Sequence, residues 1–266
     1  MTPVVGYAGG KRRLLPRLRP YFDPARIALY IEPFVGMGAM YLDLRSRGFR
    51  GAAALADSNA TVADFWRAVH NPDGAAALIR ACDALSSWPK TVEGFAEMKS
   101  ASVDGVDRVA RFLWLTNYTF GNQPPLYRDG RWVGFSSKFG SSAKWGKTFP
   151  WTSCVERLGR VVKALAGVVG VVRNDGLPLL RYSDDASIYA DPPYAGVAPY
   201  VGDKPLDYIT PILNARCREL VLSEKTDLRP LPPGWACEEG ALVERWSQGR
   251  GARGSRAEFL YFKGAP

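Results

Sequence analysis

Ile27-Ala-Leu-Tyr-Ile-Glu32-Pro-Phe34-Val-Gly36-Met-Gly38, followed a helix's length later by Ala52-Ala-Ala-Leu-Ala56-Asp57, is the part of the sequence that decides the fold. Residues 27–34 make a short apolar run closed by Pro33, the pattern of a buried strand. Gly36 and Gly38 let the chain turn sharply, and Ala39 to Arg47 then reads as a helix. A second buried strand over 52–56 ends in an acid. Strand, glycine turn, helix, strand and acid in this order predict a parallel α/β unit. Glycines after a strand let a ligand approach the backbone, and an acid ending the next strand can hold ribose hydroxyls. A nicotinamide-type fingerprint wants a third glycine at position 41. The chain has Tyr41 there, which argues against a dehydrogenase.

Beyond this unit, another helix is expected from about Thr61 to Val69, and residues 74–117 read as mainly helical, with apolar positions at helical spacing around Val109, Phe112, Leu113 and Leu115. Leu126-Tyr-Arg128-Asp-Gly-Arg131-Trp-Val133 carries Asp129-Gly130 between two mixed apolar stretches, a strong hairpin signal. A Gly-, Ser- and Lys-rich loop follows over 134–146. Helix returns over Cys154–Leu165, and strands are expected at Val168–Val172, Ser187–Ala190 and Glu219–Ser223. Trp235–Trp246 and Glu258–Phe262 read as a closing antiparallel pair. The economical picture is one α/β sheet domain from residues 1–60 and 165–266, interrupted at 61–164 by a helical and hairpin insertion.

The 266 residues include 47% apolar and 23% charged side chains, which excludes a disordered chain. The longest apolar candidate for a membrane span, Val161 to Val172, is broken by Lys163 and falls well short of roughly 20 residues. The opening Met1-Thr-Pro-Val-Val-Gly6 lacks the basic end and apolar stretch of a secretory leader, so a cytoplasmic protein without membrane association is expected. Cys82, Cys154, Cys217 and Cys237 are too scattered for a CxxC metal site. A single histidine, His70, disfavours zinc sets and a Ser–His–Asp triad, so no metal is expected. His70, before Asn71-Pro72, reads as a helix-end residue, and Trp66, Trp88 and Trp114 read as core.

The formal charge of +9 is unevenly spread. Residues 1–60 carry nine basic and four acidic residues, and residues 117–160 carry seven basic against two acidic. The second block interleaves its cations with Tyr118, Phe120, Tyr127 and Trp132, among other aromatics. That mixture suits a surface that contacts phosphates and stacks on bases.

Two further motifs carry chemistry. Tyr189-Ala-Asp191-Pro192-Pro193-Tyr194 closes a predicted strand. Paired prolines cannot donate N–H groups, so they fix an open turn that presents a carbonyl beside a carboxylate and an aromatic ring. Tyr7-Ala-Gly-Gly-Lys11-Arg-Arg, before a short helix, is by itself a solvated basic helix start or an anion site.

In this order, these stretches resemble the Dam-like (class alpha) N6-adenine DNA methyltransferases over nearly the whole chain. The pairing of Glu32-Pro-Phe-Val-Gly36-Met-Gly38-Ala with Asp191-Pro-Pro-Tyr194 is the specific part. Tyr7 to Lys11 matches the family's aromatic-Ala-Gly-Gly-Lys motif, and Ala56-Asp57-Ser58-Asn59 matches its Ala-Asp-x-Asn pattern. The resemblance implies a Rossmann-like, S-adenosyl-L-methionine-dependent methyltransferase sheet with an inserted target-recognition domain. It implies double-stranded DNA as partner, a companion restriction endonuclease acting separately in a restriction-modification setting, and a monomer in solution. Tyr7, Lys11, Glu32, Phe34, Gly36, Gly38, Asp57 and Asp175 would hold the cofactor, with Asp175 on its adenine.

The chemistry this implies fits the residues. The exocyclic nitrogen of adenine is a poor nucleophile because its lone pair is delocalised into the ring. If the Asp191 carboxylate and the Pro192 carbonyl each accept one N6–H, the nitrogen is drawn toward a tetrahedral, more reactive arrangement. Pro193 keeps the turn open, and Tyr194 would stack on a base that has left the duplex. In-line alignment supplies the rest. By position, Tyr118, Phe120, Asn122, Arg128, Arg131 and Lys138 are the expected DNA contacts. The stretch Thr116–Asn122 departs from the Asn-Arg-x-x-Tyr-Asn-Gly-like stretch of better-known members, so a GATC target is not carried over. Competing readings are an RNA adenine methyltransferase of the same fold and a non-catalytic, cofactor-gated DNA-binding protein.

Overall fold

The computed structural model describes residues 1–7, 10–100, 102–119, 122–133, 139, 149–181, 184–193, 207–224, 227–243 and 256–264. A 3-10 turn over Lys11–Arg13 leads into α1 (Leu15–Leu18), followed by β1 (Leu29–Glu32), α2 (Ala39–Ser46) and β2 (Ala52–Ala56). Helices α3 (Ala60–His70), α4 (Pro72–Ala84), α5 (Val92–Ser100) and α6 (Gly105–Tyr118) come next. They precede the hairpin of β3 (Leu126–Arg128) and β4 (Arg131–Val133), and then α7 (Trp151–Leu165). The chain closes with β5 (Gly170–Arg173), β6 (Ala186–Ala190), α8 (Ile209–Leu213), β7 (Glu219–Glu224), β8 (Trp235–Val243) and β9 (Arg256–Lys263).

Seven strands form one sheet in the order β5-β2-β1-β6-β7-β9-β8. The five from β5 to β7 are parallel, and β9 runs antiparallel between β7 and β8. The expected closing pair is therefore present, with its later strand inserted beside β7. From β1 the chain builds outward through β2 to β5, then returns to lay β6 on the other side of β1. The order reverses between β1 and β6, and open α/β sheets bind ligands at such a switch point, outside the carboxyl ends of the strands.

Alternate residues explain why the central strands stay put. Tyr30, Tyr189 and Val221 point into one core, whereas Ile31, Ile188, Leu220 and Leu222 point into a second core on the opposite face. Strands buried on both faces read as continuous apolar runs, which is how β1 and β6 appear in the sequence.

The predicted helical stretch 74–117 resolves into α4, α5 and α6. Asn71 makes the boundary between α3 and α4: its side chain accepts from the Gly74 N–H, and Pro72 occupies the first helical position. His70 is the last residue of α3. Asp129 and Gly130 both take positive φ, 51° and 75°, the requirement of a type I′ turn, so the hairpin forms where expected. The larger core runs unbroken from β1, β2 and α2 through α3, α4, α6 and α7. Trp66 and Trp114 lie within it, fully buried. Among the described residues no helix is long and apolar enough to cross a membrane.

Candidate active site

The carboxyl ends of β1, β2 and β6 meet at a cavity of about 350 Å³. Its wall includes Tyr7, Lys11, Glu32, Phe34, Gly36, Gly38, Asp57, Asp191, Pro192 and Pro193, so residues scattered over nearly 190 positions converge there.

The glycine turn is held from three sides. The Gly36 N–H donates to Asp57 Oδ2 at 2.9 Å, the Val35 N–H donates to the Ala56 carbonyl at 2.8 Å, and Trp66 Nε1–H donates to the Gly36 carbonyl at 2.8 Å. Gly36 and Gly38 have φ of +49° and +64°, a region that disfavours any Cβ. The two glycines differ in what they face. A Cβ on Gly36 would meet the Tyr7 ring at 3.3 Å, on the cavity side. A Cβ on Gly38 would meet the Trp66 ring at 2.3 Å, so the glycine at 38 is required by the core beneath it.

Asp57, the residue after β2, has both carboxylate oxygens engaged, accepting from Gly36 N–H at Oδ2 and from Asn59 N–H at Oδ1, each at 2.9 Å. Burial pushes its carboxyl up to about 6 against those two hydrogen bonds. Glu32, at the end of β1, is buried and accepts from the Tyr30 hydroxyl at 2.9 Å. Burial pushes it up to about 8, with the Tyr30 bond opposing and the charges of Asp191 and Asp57 adding to the rise. Lys11, itself buried, places Nζ 2.8 Å from Asp191 Oδ1. The amino-terminal motif and the Asp-Pro-Pro motif are thus joined by one ion pair.

A model of the D12 class N6 adenine-specific DNA methyltransferases matches residues 7–207. The chain belongs to that family. The D12 match starts at Tyr7 and stops at Asp207, just before α8, so it takes in every motif that lines the cavity. The chain is also similar to the type II methyltransferase M1.LlaDCHI of Lactococcus lactis subsp. cremoris, at 26% identity over 148 residues, which is 53% of this chain and 48% of that protein. It thus spans about half the length of that relative. Among solved structures it is similar to yhhF of Escherichia coli, a candidate methyltransferase, at 12% identity and a TM-score of 0.38, over 96% of this chain and 86% of that one.

Several residues singled out from the sequence sit elsewhere than expected. Asp175 is exposed, accepts from the Leu177 N–H at 3.0 Å and does not line the cavity, although Gly176 beside it packs on Pro33. Tyr118, expected at DNA, is buried against Trp114 with ring centres 4.6 Å apart. Its place on the apolar face of α6 is set by helical spacing, which the basic-aromatic composition of the block concealed. Asn122, also expected at DNA, turns inward: its amide donates to the Thr116 carbonyl at 3.2 Å and packs on Gly6. Arg128 and Arg131 are exposed and face each other across the hairpin, and Arg128 also lines the cavity. Tyr194, Phe120 and Lys138 lie outside the described residues.

Sequence reasoning missed Tyr30, whose hydroxyl supports Glu32, and the pair Phe149 and Arg157, which line the cavity from the loop before α7 and from α7 itself. Arg157 was visible only as one of seven cations in a basic block. Among the described residues no group of three or more His, Cys, Asp or Glu side chains could hold a metal.

Proposed function

We propose that this protein is a site-specific DNA adenine methyltransferase that transfers a methyl group from S-adenosyl-L-methionine to adenine N6 in duplex DNA. The observation that carries the reading is the meeting of Asp191-Pro192 with the Glu32–Gly38 turn in one cavity at the reversal of strand order. Membership of the D12 family supports it.

The cavity suits a sulfonium cofactor. Asp57 lines it as a carboxylate and favours a positive guest, whereas Glu32 is held protonated by burial and Asp191 is matched by Lys11. The Tyr7 and Phe34 side chains and the two glycines leave a partly apolar slot against the backbone. When bound, this cofactor supplies an electrophilic methyl group.

The chain's own residues do the remainder. Asp191 and the Pro192 carbonyl accept the two N6–H groups and strip the nitrogen's lone pair from conjugation. Once the nitrogen carries the methyl group, its surplus proton passes to the Asp191 carboxylate and on to solvent. Lys11 holds Asp191 Oδ1, which aims the other oxygen at the substrate. Pro192 is buried, so its carbonyl is fixed by packing as well as by its ring. Residues 1–60 and 165–266 act as the catalytic domain and 61–164 as the target-recognition insertion, whose hairpin presents Arg128 and Arg131 to DNA.

The test is incubation with methyl-labelled S-adenosyl-L-methionine and adenine-containing duplex DNA, single-stranded DNA or RNA. Label recovered as N6-methyladenine in duplex DNA is the expected result. Label confined to RNA, or none, overturns the proposal.

A further inference from the structure

The carboxyl groups of the cavity and two of its arginines lie on different walls. Glu32, Asp57 and Asp191 lie on the side of the strand ends, while Arg128 and Arg157 line it from the hairpin and from α7. Arg157 projects from two turns inside α7, and its guanidinium carbon lies 3.9 Å from the centre of the Phe149 ring. Phe149 is in turn fixed by the fully buried Asn117, whose Nδ2–H donates to the Phe149 carbonyl at 2.9 Å and whose Oδ1 accepts its N–H at 3.3 Å. The guanidinium therefore rests on a platform anchored in the core. The strand side is tied to the same wall, because Asn59 Nδ2–H donates to the Pro125 carbonyl at 3.2 Å, one residue before β3 begins.

Neither arginine has an ion-pair partner among the described residues, and Nη1 of Arg157 is buried without a hydrogen bond. Lys11, by contrast, is matched to Asp191. A guanidinium kept half-buried in a cavity wall without a counter-ion is costly unless an anion arrives, and its planar fork suits a phosphate.

Resting on the proposed reaction, we infer that Arg157, steadied on Phe149, forms with Arg128 an anion seat for a phosphodiester group flanking the extruded adenine. The base itself is neutral and polar and goes to the carboxylate side. The phosphate it drags along is the anion that must lie across from it. Arg157 is then a positioning residue: it fixes the nucleotide's backbone so that N6 reaches Asp191 and Pro192.

The experiment uses the full chain and the site mapped by sequencing DNA that the wild-type protein has methylated. Duplexes carry either native linkages or one uncharged methylphosphonate, on the 5′ or the 3′ side of the target adenine. Binding and kcat/KM are measured for the wild type and for Arg157→Ala, alongside cofactor affinity and melting temperature. The wild type should lose about tenfold in affinity from the uncharged linkage on one side, the size expected for a charge-assisted hydrogen bond. Arg157→Ala should show the same loss with native DNA and little further loss from the uncharged linkage, with cofactor affinity unchanged.

Wild type indifferent to both linkages overturns the inference whether or not the variant folds. So does a variant that stays as sensitive to the linkage as the wild type, or one that loses cofactor affinity instead, since the guanidinium would then serve the cofactor's carboxylate. Failure of the underlying reaction is distinct, because the wild type would then methylate no DNA at all.

Discussion

Lys11 Nζ sits 2.8 Å from Asp191 Oδ1, so a residue of the amino-terminal basic turn and the first residue of the Asp-Pro-Pro turn form one unit across 180 positions of sequence. One carboxylate oxygen is occupied by the ammonium, and the rotation of the carboxylate is thereby limited. Lys11→Met should cut kcat by roughly ten- to a hundredfold, the equivalent of one charge-assisted hydrogen bond. Steady-state kinetics with cofactor affinity measured separately checks this. A variant with unaltered kcat and weakened cofactor binding would assign Lys11 to the cofactor alone.

Asp191→Ala should abolish methyl transfer while cofactor binding survives, because the Gly36–Asp57 clamp and the Tyr7 ring do not depend on Asp191. Asp191→Asn keeps the shape but presents one acceptor and one donor, and should restore little activity. Calorimetric titration of S-adenosyl-L-homocysteine into both variants, beside single-turnover methylation, separates the two effects. Normal turnover in the alanine variant would remove Asp191 from the chemistry.

Gly38→Ala should destabilise the fold by about 3 kcal/mol, combining a left-handed backbone with overpacking against Trp66. Urea unfolding measures it. The substitution leaves the Tyr7 side of the turn untouched, so a loss of activity without loss of stability would mean that the Trp66 contact is not what requires Gly38.

Glu32 gives stability a pH dependence of definite sign. Its carboxyl stands at about 8 in the folded chain, against an ordinary value of 4.5, because burial favours the protonated form. Its contribution is fully present below about pH 4.5 and is lost as pH rises towards about 8, since the unfolded chain gives up its proton first. Glu32→Gln cannot ionise and can still accept from Tyr30. It should be more stable than the wild type at pH 8 to 9 by roughly 1–3 kcal/mol and should flatten the decline from pH 5 upward. Melting temperatures across that range decide it. A parallel pair of curves would show that Glu32 is ionised throughout.

DNA binding should weaken steeply with salt, because the excess of cations lies in the amino-terminal and inserted segments. Arg131 is exposed on β4 and lies outside the cavity wall. Arg131→Ala should lower the slope of log affinity against log salt by about one without changing kcat. Affinity that ignores salt would contradict a backbone-gripping surface.

Residues 27–57 alone determined the parallel α/β unit, because an apolar run, two glycines and a terminal acid leave few other ways to satisfy the backbone. Asp129-Gly130 likewise determined its own turn, since few residues tolerate two successive positive φ values. These are local conditions, met or unmet within a few residues. Tertiary structure alone decided which of the candidate side chains share a cavity. It joined Lys11 to Asp191 and showed that Gly38 answers to Trp66. It turned Tyr118 and Asn122 inward, left Asp175 at the surface, and brought Arg157 onto Phe149. Each of those outcomes depends on which way a side chain points once strands and helices have packed. That direction is set by neighbours dozens of residues away, so no local pattern could carry it.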